Sequence, residues 1–369
     1  MANTITVQAT GLVYSNPKPH LRSIVAYHPS LTLISQNEFL ATFDLGEAVE
    51  SLDYHTVVSR STDRGETWKV EGPVLKEPPP STTHTIRTSR LRDESIVGFG
   101  GLHRRDDPEA GLINGSTFGY VPVEPFVVRS SDGGRFWSKP EFIEPPLIGP
   151  SWETCHHILE LEDGRWLAPI ATWRAWNGDH ASGQQAVVFI SDDLGKSWPS
   201  FGRTFDGRDS GILHLEQSVI QLHDGGILAL CWQHDLQSGN NLPSIYSLSR
   251  DRGENFSPPT ETGFFAQTAK VVQLRDNRLL CVYRRNDKPG LWGTLARIEK
   301  NQWINLEESP LWQGAESGMS GTLDSGEELS NLKFGYPSIR QISAHEVLVL
   351  FWCQEDCVTH IRWIKLAVA

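Results

Sequence analysis

The chain has no run of about 18 uncharged apolar residues, so no membrane-spanning helix is expected. It has no lysine/arginine cluster, and its formal net charge is −12. A nucleic-acid-binding surface needs the opposite sign, so neither nucleic acid nor membrane is an expected partner. Residues Met1-Ala2-Asn3-Thr4-Ile5-Thr6-Val7 show no basic segment followed by an apolar one. The chain as given is therefore expected in the cytoplasm, with a secreted mature form as the alternative. Cysteines are few and odd in number (Cys155, Cys231, Cys281, Cys353 and Cys357), and no Cys-x-x-Cys pair occurs. Reduced thiols are expected, the one candidate disulfide being Cys353–Cys357 across a hairpin. No His-x-x-His-type spacing points to a metal, and no cofactor is expected. Long amphipathic helical stretches are also scarce.

What is plentiful is turn and strand material: 32 glycines, 22 prolines and 13 tryptophans. The main signal is a repeat, Ser-x-Asp-x-Gly-x-x-Trp. It starts at Ser61, Ser130, Ser191 and Ser249, with Phe256 replacing Trp in the fourth copy. Recurrence at a near-constant period marks one supersecondary unit built repeatedly. Asp in a turn accepts nearby backbone N–H groups, Gly supplies a positive-φ position, and Trp buries its ring. Each copy therefore reads as a structural hairpin turn, not a catalytic acid.

A second repeat surrounds the first. Ser218-Val-Ile-Gln-Leu-His-Asp224-Gly225 resembles His157-Ile-Leu-Glu-Leu-Glu-Asp163-Gly164 and Lys270-Val-Val-Gln-Leu-Arg-Asp276-Asn277. Apolar alternation into Asp-Gly or Asp-Asn is a strong hairpin signal. Weaker copies at 32–42, 88–99 and 338–351 bring the hairpins to six, and a degraded fifth box lies near Lys300–Trp303. Six units of four strands predict an all-β fold: a six-bladed β-propeller of four-stranded antiparallel blades. The ring is closed by an N-terminal strand (3–14) joining the last blade after 359–368. Residues 1–369 read as one domain. The proline runs 78–80, 145–146 and 258–259 read as stiff connections between blades.

In a propeller the innermost strands line the axis. Aligning the six hairpins on their turns places His28, Thr85, Cys155, Glu216, Thr268 and Tyr336 at one mouth. Tyr27, His84, Arg87, Glu153, His156, His157, His214, Gln267 and Lys270 are neighbours. The ends of the second strands (Asp44, Gly101, Ala171, Trp232, Arg284 and Trp352) approach the same mouth. His, Glu, Tyr and Arg at the end of a rigid scaffold make a polar pocket with acid–base capacity. Trp173, Trp176, Trp232 and Trp352 are candidate platforms for sugar rings.

The boxes and the hairpin Glu216-Gln-Ser-Val219-Ile-Gln-Leu222-His-Asp224-Gly225, together with Tyr336-Pro-Ser-Ile339, resemble the Asp-box (BNR) repeats and blade openings of the sialidase superfamily. The resemblance implies a glycosidase-type site in which Tyr336 is the nucleophile and Glu216 its base. It implies an acid near Asp53 or His55 and a carboxylate contact at Arg284. The superfamily's arginine triad is otherwise missing: Tyr27-His28-Pro29 stands where the first arginine belongs, and Trp232 at the second. His28, His84, Arg87, His156, Trp232, Gln267, Arg284 and Arg340 are candidate substrate contacts.

Three readings follow. One is a sialidase-like glycoside hydrolase acting on a terminal, acidic sugar. Another is a lyase that β-eliminates uronate-containing glycans, suited to the surplus of histidines. The third is a propeller that binds glycans without turnover. A carbohydrate partner is common to all three.

Overall fold

The computed structural model describes residues 3–154, 156–285, 287–314 and 333–369. They form six antiparallel blades around an axis and one further two-stranded hairpin. Blade 1 runs Val25–Leu33, Phe39–Gly46, His55–Ser61 and Lys69–Pro73 from inside outward. Blade 2 runs Thr82–Arg90, Ile96–Arg104, Val123–Ser130 and Glu141–Phe142. Blade 3 has an inner edge split into Ser151–Glu153 and Leu159–Glu160, then Trp166–Trp173, Gln185–Ser191 and Ser200–Asp206. Blade 4 is Ile212–Gln221, Ile227–Asp235, Asn240–Ser249 and Thr260–Glu261, and blade 5 is Gln267–Gln273, Leu279–Arg284, Leu291–Glu299 and Gln302–Trp312. Blade 6 takes Phe334–Gln341, Glu346–Glu355 and Val358–Val368 from the C-terminal end and its outermost strand, Ile5–Ser15, from the N-terminal end. Ile5 pairs with Val368 and Ser15 with His360, so the ring closes as the sequence predicts.

The second strand of each blade explains why so many segments are apolar on consecutive residues. In blade 6, Val347, Val349 and Phe351 pack with Leu280 and Val282 of blade 5, while Leu348 and Leu350 pack with Ala41 and Phe43 of blade 1. Side chains alternate across a strand, so each strand feeds two seams. The other seams repeat this: Leu40 with Ile86 and Phe126, Phe99 with Trp166, Leu167 with Ala229, and Leu230 with Cys281. Six seams close the ring.

The boxes are turns, as read. Ser191 Oγ receives the Gly195 N–H at 2.8 Å, and Asp193 Oδ1 receives the Ser197 N–H at 2.9 Å. Hydrogen bonds from the Ser197 hydroxyl and backbone hold the Asp193 carboxyl down at about 2. Two consecutive residues are left-handed, Leu194 and Gly195 (φ 61° and 77°), where the sequence suggests only the glycine. The degraded fifth box is the two-residue turn Lys300-Asn301, and Asp356-Cys357 plays the same part in blade 6, each with both residues at positive φ.

The Gln-Leu element of the inner hairpins ties neighbouring blades together. Gln221 Oε1 accepts the Glu162 N–H, Gln273 Oε1 that of His223, and Gln341 Oε1 that of Arg275, at 3.1, 2.7 and 3.0 Å. Glu160 does the same for Arg92 at 2.7 Å.

Some expectations are corrected. Cys353 is buried and Cys357 exposed, both as free thiols, because Cys357 occupies the turn itself. Pro258-Pro259 lies within blade 4, just before its outer strand. His156 and His157, adjacent in sequence, stack at 4.1 Å where the inner edge of blade 3 is broken. Cys155 lies outside the described residues.

Candidate active site

At the axial mouth the inner strands carry a shared distortion. His28, Glu216, Thr268 and Tyr336 all have φ near +50° (51°, 49°, 53° and 49°), each at a break in register with the second strand. These are four of the six positions found by aligning the turns. A bulge bends a strand and re-aims its side chain. Left-handed backbone at bulky residues is strained and concentrates where surrounding structure holds it for a function. In blade 2, Thr82–Arg90 pairs without a register break.

His28, Glu216 and Tyr336 line one cavity of about 220 Å³, together with Arg87, Glu153, Trp173 and Trp232. Tyr336 is buried; its N–H donates to Thr268 Oγ1 at 3.1 Å and its phenol oxygen lies 3.4 Å from Arg87 Nε. The Lys270 ammonium stands 4.8 Å from the Tyr336 ring centre, and the His28 ring packs edge-on against it at 5.0 Å. Burial raises the Glu216 carboxyl above the ordinary range, opposed by the positive charges of Arg284, Lys270 and Arg87. The Glu216 N–H donates to Glu153 Oε1 at 2.9 Å.

Behind the mouth lies a buried polar cluster centred on Asp44. Its carboxylate pairs with Arg87 Nη2 at 3.0 Å, accepts the Thr56 hydroxyl at 2.6 Å and lies 3.3 Å from His28 Nδ1. Desolvation pushes this carboxyl up, but Arg87, His28 and Thr56 outweigh it and hold it below its ordinary value. His28 Nδ1 is also 2.9 Å from the Tyr54 hydroxyl. Nδ1 is thus engaged, and Nε2 is the ring nitrogen left for a ligand.

Arg284 is buried; it donates from Nε to Gln267 Oε1 at 2.9 Å and from Nη1 to the Phe334 carbonyl at 3.2 Å. Burial depresses it to about 10, opposed by Glu216. Gly335 makes room for it: a Cβ there would sit 2.5 Å from Arg284 Nη1. Trp232 lines the cavity, its Nε1 donating to Asn241 Oδ1 at 2.7 Å.

Other candidates sit elsewhere. Asp53 is an exposed turn cap that accepts the Glu47 N–H at 3.0 Å and the Ser51 hydroxyl at 2.5 Å. His55 Nδ1 lies 2.6 Å from the Asp53 carbonyl, and neither residue lines the cavity. His84 is buried behind the wall, its Nε2 3.4 Å from the Thr56 N–H; burial depresses it to about 4. His156 and Arg340 line a second chamber further along the axis. Trp352 is buried against Tyr27 at 4.5 Å.

Sequence reasoning missed part of the wall. A short hairpin, Ile113–Asn114 with Gly119–Tyr120, is inserted between the middle strands of blade 2. It brings Ile113, Phe118 and Tyr120 to the cavity, and the Phe118 carbonyl accepts Trp173 Nε1–H at 2.9 Å. His103, at the end of the second strand of blade 2, also lines the cavity; burial depresses it to about 3, so it is neutral. Neither feature falls on the repeat that organised the reading.

The geometry defines a six-bladed β-propeller with an acid–base pocket at the mouth of its axis. The chain belongs to the BNR repeat-like domain family, whose model matches residues 114–348. No curated protein matches the chain. Among solved structures, a protein of unknown function from Dyadobacter fermentans is similar over 99% of both chains, with 20% identity and a TM-score of 0.76. An α-L-arabinanase from Penicillium chrysogenum, complexed with arabinobiose, is similar over 97% of this chain and 98% of its own, at 14% identity and a TM-score of 0.66. The NanB sialidase from Streptococcus pneumoniae matches over 98% of this chain and 71% of its own, at 13% identity and a TM-score of 0.66. At such identities these likenesses establish the propeller fold.

Proposed function

We propose that the chain is a glycoside hydrolase acting on a terminal, anionic sugar, with Tyr336 and Glu216 as its central pair. The observation that carries this reading is their convergence on one cavity, both at bulged positions, beside Arg87 and Lys270. A phenol is a weak nucleophile until a base takes its proton. Glu216 is that base. As the Tyr336 oxygen attacks the anomeric carbon, the glycosidic C–O bond breaks. Arg87 Nε, 3.4 Å away, stabilises negative charge on the phenol oxygen. A water then attacks the anomeric carbon and the Tyr336 O–C bond breaks; Glu216 returns its proton to the phenolate, and the water's proton goes to the carboxylate that protonated the leaving oxygen. Glu153 is a further carboxyl in the wall and the better-placed donor to the leaving oxygen, since Asp53 caps a turn. Arg87 and Arg284 give the pocket the positive potential that an anionic sugar requires. The known activities of the arabinanase and sialidase neighbours agree with a carbohydrate substrate.

A second reading has its own observation. With Nδ1 held by Asp44 and Tyr54, His28 suits proton abstraction in a β-elimination from a uronate. Mass spectrometry of products from sialylated, uronate-containing and neutral oligosaccharides separates the two. Hydrolysis gives products that gain water and disappear in Glu216→Gln and Tyr336→Phe. Elimination gives unsaturated products without added water, lost in His28→Ala. Near-normal hydrolysis by both Glu216→Gln and Tyr336→Phe would remove the first reading.

A further inference from the structure

The axial channel does not end at the site. Past Arg87 and Tyr336, which face both spaces, lies a second chamber of about 540 Å³ that follows the inner strands toward their turns. Its lining is cationic. Arg340 is half-buried, donates to the Ile339 carbonyl at 2.8 Å and to His157 Nε2 at 3.2 Å, and has no carboxylate partner among the described residues. Burial alone depresses its guanidinium, to about 10. Lys270 lines the same space, and the paired acids of Arg87 and Arg90, Asp44 and Glu94, stand outside the lining. Glu160 is the one carboxylate in the described lining, and it accepts the Arg92 N–H. A partly desolvated cation with no carboxylate beside it is stabilised by a ligand that supplies the counter-charge. An arginine fork also matches the oxygens of a phosphate or sulfate.

We propose that this chamber is a second binding site, distinct from the pocket at the mouth, that takes a phosphate or sulfate group on Arg340 and Lys270. The group belongs either to a free inorganic anion or to an ester on a larger molecule, for which the volume leaves room.

Binding is read by thermal unfolding at constant ionic strength, which needs no turnover and so stands apart from the hydrolase reading. The probes are inorganic phosphate, inorganic sulfate and glucose 6-phosphate, with chloride as control. A site filled at about 100 times Kd raises Tm by roughly 3–4 °C for a chain of this size. Saturable stabilisation of the wild type, lost in Arg340→Gln and Lys270→Gln but kept in Arg284→Gln, supports the site. Equal affinity for the inorganic ions and the ester means a free anion; at least about tenfold tighter binding of the ester (about 1.4 kcal/mol) means an esterified ligand. Should Arg340→Gln fail to fold, Lys270→Gln and phosphorus NMR line broadening on the wild type give the same answer. No saturable effect of any probe, or an effect that survives both chamber substitutions, overturns the proposal.

Discussion

Replacing Asp44 by alanine tests the buried cluster behind the site. Asp44 is fully buried and is the ion-pair partner of buried Arg87 at 3.0 Å. Removing one member of such a pair leaves the other charge desolvated and costs about 3–5 kcal/mol. The Thr56 hydroxyl, which donates to Asp44 at 2.6 Å and accepts the Ile86 N–H at 2.9 Å, loses its acceptor as well. Unfolding entropies near 2.1 cal/mol/K per residue turn that loss into a Tm decrease of roughly 4–6 °C for a chain of this length. Calorimetry on Asp44→Ala, Arg87→Ala and the double variant is the assay. The double variant is expected to be more stable than the sum of the single losses implies, by about 2 kcal/mol. The pH dependence has a definite sign. The folded Asp44 carboxyl lies below its unfolded value near 3.9, so its contribution is complete above that value and is lost as pH falls through the folded one. Asp44→Asn should flatten that acid limb. A single variant within about 1 kcal/mol of wild type, or strict additivity, would refute the reasoning.

Other outcomes follow from the same geometry. Glu216→Gln is expected to lower turnover by about 10²–10⁴-fold with no loss of Tm, since it removes a desolvated charge. Because burial raises the Glu216 carboxyl, the wild-type rate should climb with pH through a value above the ordinary 4.3 or so; a limb at or below that value counts against Glu216 as the base. Asp193→Ala breaks the box of blade 3 and should cost about 1–3 kcal/mol while kcat stays unchanged, which denaturation and rate measurements check together. In native protein an alkylating reagent should modify Cys357 ahead of Cys231, Cys281 and Cys353, whose thiols burial pushes up; peptide mapping that finds Cys281 labelled first would contradict the packing.

The boxes, the six hairpins and the closing strand were legible in the sequence because they are local. A turn at Asp193–Gly195 is specified by residues within a few positions of each other, and alternation such as Val347–Phe351 is set by the two faces of one strand. The turn alignment also carried His28, Glu216 and Tyr336 to one mouth, since equivalent residues of equivalent blades converge on an axis. What the tertiary structure decided is which polar side chains enter the pocket. Asp44 and Asp53 are indistinguishable in composition, yet one is buried against Arg87 and the other caps a surface turn. The hairpin bearing Phe118 and Tyr120 breaks the repeat and reaches the cavity by docking on Trp173, Arg174 and Trp176. Tyr336 and Arg87, 249 residues apart, meet across the axis and divide it, which sends His156 and Arg340 to the far chamber. Repeat and turn are fixed by backbone stereochemistry over a few bonds, whereas convergence and burial are fixed only when six seams pack and close the ring.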